Sequence, residues 1–107
     1  MHLAAVISLR LLPPWLALTR DERNRRAAPL LEIAARYDDV DVDWYDADAL
    51  GSGFTDWILC RFDSIERYHA LWEELRDQEF FSHPFAEIVD VRLGLRNGFR
   101  RFEAGEL

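Results

Sequence analysis

Thr19-Arg20-Asp21-Glu22 is answered further along the chain by Asp63-Ser64-Ile65-Glu66. In each, an oxygen-bearing side chain stands three residues before a Glu. With that spacing the two side chains satisfy orphan amide hydrogens reciprocally at a helix N-terminus. The first signature opens a helix from about Arg20 to Arg36, with an apolar stripe of Ala27, Leu30, Leu31, Ala34 and Tyr37. Pro29 falls inside it and predicts a kink or a first turn that breaks from the rest. The second opens a helix from Ser64 to about Asp77, carrying Ile65, Tyr68, Leu71, Trp72 and Leu75 at helical spacing.

Outward from these helices the sequence turns strand-like. Leu3 to Leu12 is β-rich and stops at Pro13-Pro14, with Trp15 to Leu18 bridging to the first helix. Val40, Val42 and Trp44 alternate with Asp41, Asp43 and Tyr45, the pattern of a half-buried strand over Asp39 to Tyr45. Gly51-Ser52-Gly53 marks a turn, Phe54 to Phe62 reads as a third strand, and Glu87 to Leu95 as a fourth after a loop over Phe80 to Phe85. Asn97-Gly98 is a strong two-residue hairpin signal. It predicts either a short returning strand over Phe99 to Phe102 or an arm laid on a partner subunit.

The order βαββαβ predicts an α+β, ferredoxin-like antiparallel sheet with two helices on one face, residues 1–107 forming a single domain. Strand parity then assigns Ile7, Leu9, Leu11, Val42, Trp44, Trp57, Leu59, Val89, Val91 and Leu93 to the helix side. Ser8, Arg10, Asp43, Tyr45, Asp56, Ile58, Cys60, Asp90 and Arg92 fall on the opposite face. A mixed face of that kind suits a homodimer in which two sheets face each other.

Composition narrows the function classes. A net charge of −7 argues against nucleic acid and anionic membranes, which require a basic face. All thirteen basic residues are Arg, so lysine Schiff bases, lysine-anchored pyridoxal phosphate and the P-loop lysine are excluded. Six aspartates between Asp38 and Asp48 follow no calcium-loop pattern and read as a solvated strand and loop. The single Cys60 lies in an apolar run and forms no internal disulfide, the usage of a reducing, cytoplasmic compartment. The apolar N-terminus lacks a basic lead and is broken by Arg10, Pro13 and Pro14, so it reads as a strand rather than a signal peptide or membrane span. Gly-x-Ser-x-Gly, Gly-x-Gly-x-x-Gly, Walker and Cys-x-x-Cys motifs do not occur.

Four segments carry a resemblance: Pro14-Trp15-Leu16-Ala17-Leu18, Trp44-Tyr45-Asp46-Ala47-Asp48, Phe80-Phe81-Ser82-His83-Pro84-Phe85 and Asn97-Gly98-Phe99-Arg100. Together they resemble the darcynin-like proteins, a family of small bacterial proteins of undefined function. The likeness implies fold kinship with dimeric α/β-barrel proteins. Those include cofactor-free monooxygenases, small isomerases and cyclases, and haem-degrading enzymes, with a pocket between helices and sheet. None of their catalytic motifs matches here residue by residue, so what the kinship implies is analogy.

The residues themselves supply the candidates. Trp15, Trp44, Trp57 and Trp72 either fill an aromatic core or wall an apolar pocket for a flat organic molecule, and a void between the rings separates the two. His69, one turn before Trp72 and Glu73, is the candidate acid or base, against the plain reading of a half-exposed helix histidine. Arg61 is the candidate anion partner. Asp56 and Arg92 belong to a row of far-face charges, read either as interface ion pairs or as a shifted carboxylate for general-base work. His2, His69 and His83 are scattered and predict no metal site, while His83 in its loop is a conceivable haem ligand that no further pattern supports.

The leading expectation is thus a small-molecule-handling homodimer, a cofactor-independent cyclase, isomerase or monooxygenase acting on an aromatic or polycyclic compound. The rival is a non-catalytic binding or interaction module whose aromatics are core.

Overall fold

A computed structural model of the chain describes every residue except Ser52, so that part of the Gly51–Gly53 turn lies outside the described residues. The elements are β1 (Leu3–Leu11), α1 (Pro13–Leu16), α2 (Arg20–Ala35), β2 (Val40–Asp46), β3 (Asp56–Phe62), α3 (Ile65–Arg76), α4 (Glu79–Ser82), β4 (Ala86–Leu95) and α5 (Gly98–Glu103). The four strands form one sheet in the order β2-β3-β1-β4, every neighbouring pair antiparallel. The α+β ferredoxin-like arrangement expected from the capping rhythm is therefore present.

Both main helices start where the sequence places them. Thr19 Oγ1 accepts from the Glu22 amide at 3.2 Å. At α3 the cap is Ser64 rather than Asp63, its Oγ accepting from the Arg67 amide at 3.2 Å. Asp63 instead accepts from the His2 amide at 2.8 Å and ties the entry of β1 to the end of β3. Pro29 sits inside an unbroken α2. Pro29 and Arg25 are both exposed, so the carbonyl left without its helical donor faces water.

The core lies between the sheet and the two long helices. Leu30 and Ile33 of α2, with Leu71, Trp72 and Leu75 of α3, meet Ala5, Ile7 and Leu9 of β1 and Ile58, Cys60 and Phe62 of β3. Fully buried side chains such as Leu71 and Phe62 contribute about 1.5–3 kcal/mol each.

Parity is right on β1 and β2, inverted on β3, and right on β4 only from Val91 onward. Cα pairing sets Ala5 opposite Cys60, Ile7 opposite Ile58 and Leu9 opposite Asp56, so Asp56, Ile58 and Cys60 face the helices. Trp57 and Leu59 face the other way, with Arg61. The correction has a physical cause: both parities of β3 are apolar, and Phe62 at its end is the residue whose burial fixes the register. On β4 a register shift opposite Ser8 and Leu9 carries Ile88, in place of Val89, to the position across from Leu9. Two segments expected as irregular or extended are helical. Residues 79–82 make the turn α4, and Asn97 in a left-handed conformation opens α5 rather than a returning strand.

Candidate functional site

Between α2, α3, α4 and the open half of the sheet lies a cavity of about 420 Å³. Its walls are aromatic. Trp15, on α1, meets Phe80 edge-on at 4.9 Å and Phe85 at 5.4 Å; Trp44 meets Phe80 at 6.0 Å; Trp72 meets Phe81 at 5.8 Å. Pro13-Pro14 starts α1 directly after β1, which folds Trp15 back across the end of the sheet and buries it. Trp15, Trp44 and Trp72 all line the space, so it is walled by the rings rather than filled by them.

The floor is acidic. Asp56 is 3 % exposed, and Trp44 Nε1 donates to its Oδ2 at 2.7 Å. Asp46 stands directly opposite across the β2–β3 pair, so its carboxyl neighbours that of Asp56. Burial raises the Asp56 pKa above the ordinary carboxylate value, and Asp46 adds to the rise, while the hydrogen bonds from Trp44 and Thr55 oppose it. A like charge beside a buried carboxyl favours that carboxyl's protonated form. Asp46 is exposed and Asp56 buried, so the pair connects the cavity to solvent.

The mouth is basic. Arg20, Arg23 and Asn24 of α2 line it. Buried Arg23 Nε and Trp72 Nε1 have no hydrogen-bond partner among the described residues. Buried donors left open in this way are groups that an oxygen of a bound molecule would satisfy.

Several candidates fall elsewhere. Trp57 is on the opposite sheet face, stacked on Tyr45 at 4.1 Å. Arg61 is on that face too, 3.3 Å from Asp43 and 3.7 Å from Asp41. His69 is on the outer side of α3, its side chain 74 % exposed and Nε2 3.4 Å from a Glu73 carboxylate oxygen. Arg92 lies on the edge strand β4, 3.8 Å from Asp90. Asp56, grouped with those far-face charges, leaves the row and enters the cavity. The sequence signal for it was there: Arg61 shares the parity of Trp57 and Leu59, and its Asp41 and Asp43 partners fix that parity as the outer one.

No His, Cys, Met or Tyr is among the cavity's described lining residues. Among the described residues no group of three or more His, Cys, Asp and Glu could hold a metal ion. No helix among the described residues is long and apolar enough to cross a membrane.

Comparison with known proteins places the chain. It is 30% identical over 90 residues to Darcynin 1 of Acinetobacter baumannii, covering 83% of this chain and 100% of that protein. It is 32% identical over 72 residues to Darcynin of Chromobacterium violaceum, covering 67% of this chain and 91% of that protein. The chain belongs to the darcynin family. A homologue in Streptomyces avermitilis is 31% identical over 101 residues, 91% of this chain and 81% of that one. No family model matches. Among solved structures, a haem-binding protein from Thermus thermophilus superposes with a TM-score of 0.83 at 14% identity, over 96% of this chain and 44% of that one. A mutant chlorite dismutase from Candidatus Nitrospira defluvii gives a TM-score of 0.78 at 21% identity, over 88% of this chain and 40% of that one. At those identities the likeness is one of fold, and this darcynin spans under half the length of either chain.

Proposed function

We propose that this darcynin is a small-molecule-handling protein whose cavity takes a flat aromatic or polycyclic compound and moves a proton on it without a cofactor. One observation carries the reading: a buried carboxyl, Asp56, with exposed Asp46 across from it, at the floor of a space walled by Trp15, Trp44 and Trp72. Enzymes that isomerise or cyclise such compounds need a group that gives a proton to one oxygen or carbon and recovers it from another. A carboxyl whose pKa is raised by burial is suited to both. Trp44 Nε1 fixes Oδ2 of Asp56, and exposed Asp46, directly opposite on β2, links that carboxyl to water. Arg20 and Arg23 at the mouth favour a substrate carrying a carboxylate or phenolate. In this reading Asp56 takes the role that the sequence suggested for His69, and Arg23 the role suggested for Arg61.

Haem is the group that the fold neighbours bring to mind, since one of them is a haem-binding protein. The cavity does not fit it. Its described lining residues include none of the side chains that ligate haem iron, and its floor is two carboxyls. His83 is exposed, stacked on Phe85 rather than turned into the space. No step is routed through haem here.

We also infer a homodimer. Its support is that the chain spans two fifths of the chlorite dismutase chain, leaving room for a second copy of the same fold. The lone buried Cys60 suits a reducing, cytoplasmic setting.

The test is a panel of bicyclic and polycyclic phenols, ketones and quinones, followed by absorbance and mass spectrometry with the wild type and Asp56→Asn. Conversion by the wild type that is lost in the variant supports the enzyme. Binding without conversion supports the rival, a binding module. Absence of binding across the panel contradicts both.

A further inference from the structure

The last quarter of the chain presents an apolar surface that its own helices leave bare. Beyond buried Ala86, every residue of β4 is exposed. Val91, Leu93 and Leu95 point to the helix side of the sheet, opposite Ile7, Ala5 and Leu3, yet Val91 is 48% and Leu93 55% exposed. β4 is an edge strand, bonded only to β1, so its outer amides and carbonyls are unpaired among the described residues. A long apolar edge is a template for another strand. The α5 arm that follows carries Phe99 and Phe102, 77% and 73% exposed.

The sequence of this edge says which strand it fits. Val89-Asp90-Val91-Arg92-Leu93 is self-complementary when reversed about Val91. We propose that β4 pairs antiparallel with β4 of a second copy of this chain, with a two-fold axis through Val91. This rests on the homodimer reading and supplies its surface. Asp90 then lies opposite Arg92 of the partner subunit, and Arg92 opposite Asp90 of the partner subunit. Cross-strand partners share a face, so both pairs form on the side away from the helices. In the single subunit Asp90 and Arg92 pair only with each other among the described residues, at 3.8 Å along one strand. On the helix side Val91 meets its own copy. Two sheets thereby become one of eight strands and neither keeps a bare apolar edge. The same axis sets residue 96 of one copy across from residue 86 of the other. The α5 arm then runs on toward the turn between α4 and β4, where half-buried Phe81 and exposed His83 offer a landing for Phe99 and Phe102.

The experiment is sedimentation equilibrium on the wild type, Asp90→Arg, Arg92→Asp, and a one-to-one mixture of the two variants. The wild type sediments as a dimer. Each variant alone sets like charges against like and weakens the dimer roughly tenfold or more. The mixture restores it, because two arginines of one chain then face two aspartates of the other. Both residues are exposed on an edge, so the variants retain their fold, checked by circular dichroism. Val91→Lys, which puts a charge against itself on the axis, is monomeric. A monomeric wild type overturns the homodimer reading and this proposal together. A dimer that ignores every substitution overturns the β4 register alone, as does a mixture no tighter than its components.

Discussion

Trp44 Nε1 donates a 2.7 Å hydrogen bond to Oδ2 of Asp56, joining the outermost ring of the cavity to its most buried charge. The donor comes from β2 and the acceptor from β3, two residues apart in register, since Trp44 pairs with Ile58 and Asp46 with Asp56. The hydrogen bond favours the ionised carboxyl, while burial and Asp46 favour the protonated one. Their opposition leaves Asp56 able to exchange its proton.

Replacing Asp56 by Asn keeps the shape and removes the proton. Turnover of a substrate found by the panel falls about 10²- to 10⁴-fold. Affinity for the same compound changes far less, because the aromatic walls are intact. Separate determination of kcat and KM checks the split; a KM effect alone assigns Asp56 to binding.

The raised pKa of Asp56 sets a stability window with a definite sign. The folded protein holds this proton more tightly than the unfolded chain, whose carboxyl has the ordinary value of 3.8. The contribution is fully present below that value and is lost as pH rises through the higher folded one. Asp39, held low by Arg67, and Glu74, held low by Tyr37 and Arg36, act oppositely and lose their contribution in acid. Urea midpoints of the wild type and Asp56→Asn compared across pH cancel those two. The variant gains on the wild type as pH rises, and a constant difference contradicts the assignment.

Cys60 is a buried thiol whose pKa burial pushes up to about 11. Native protein at pH 8 therefore reacts with Ellman's reagent only as fast as it unfolds. Reaction within seconds without denaturant shows the strand to be open there.

Leu71 is wholly buried between α3 and the sheet. Leu71→Ala costs about 2–5 kcal/mol of stability by urea denaturation, the range for truncations that leave a cavity. A cost below about 1 kcal/mol shows that the neighbouring space collapses onto the gap.

The fold was legible because its signals are local. Thr19 and Ser64 mark helix starts, Pro13-Pro14 ends a strand, and the alternation of Val40 to Tyr45 needs no knowledge of what packs on it. The site was only half legible. Trp15, Trp44 and Trp72 come together as their positions suggest, whereas Asp56 hides among them. A charge in a strand is ordinarily an outward residue, and that rule is sound because burying one is costly. It turned the parity of β3 inside out, sending Trp57 inward and Asp56 outward. The site is where the rule fails, with Trp44 and Asp46 on the neighbouring strand to support the exception. His69 misled for the converse reason: a helix face one turn from Trp72 can still look away from it.

The indole N–H signals of uniformly ¹⁵N-labelled protein, recorded while 2-naphthol is titrated in, test the central claim most directly. The chain has four tryptophans, of which Trp15, Trp44 and Trp72 line the cavity while Trp57 lies on the opposite face of the sheet. The first three shift together and saturate while Trp57 stays in place. Four unmoved signals at saturating 2-naphthol, or a shift confined to Trp57, contradict that claim.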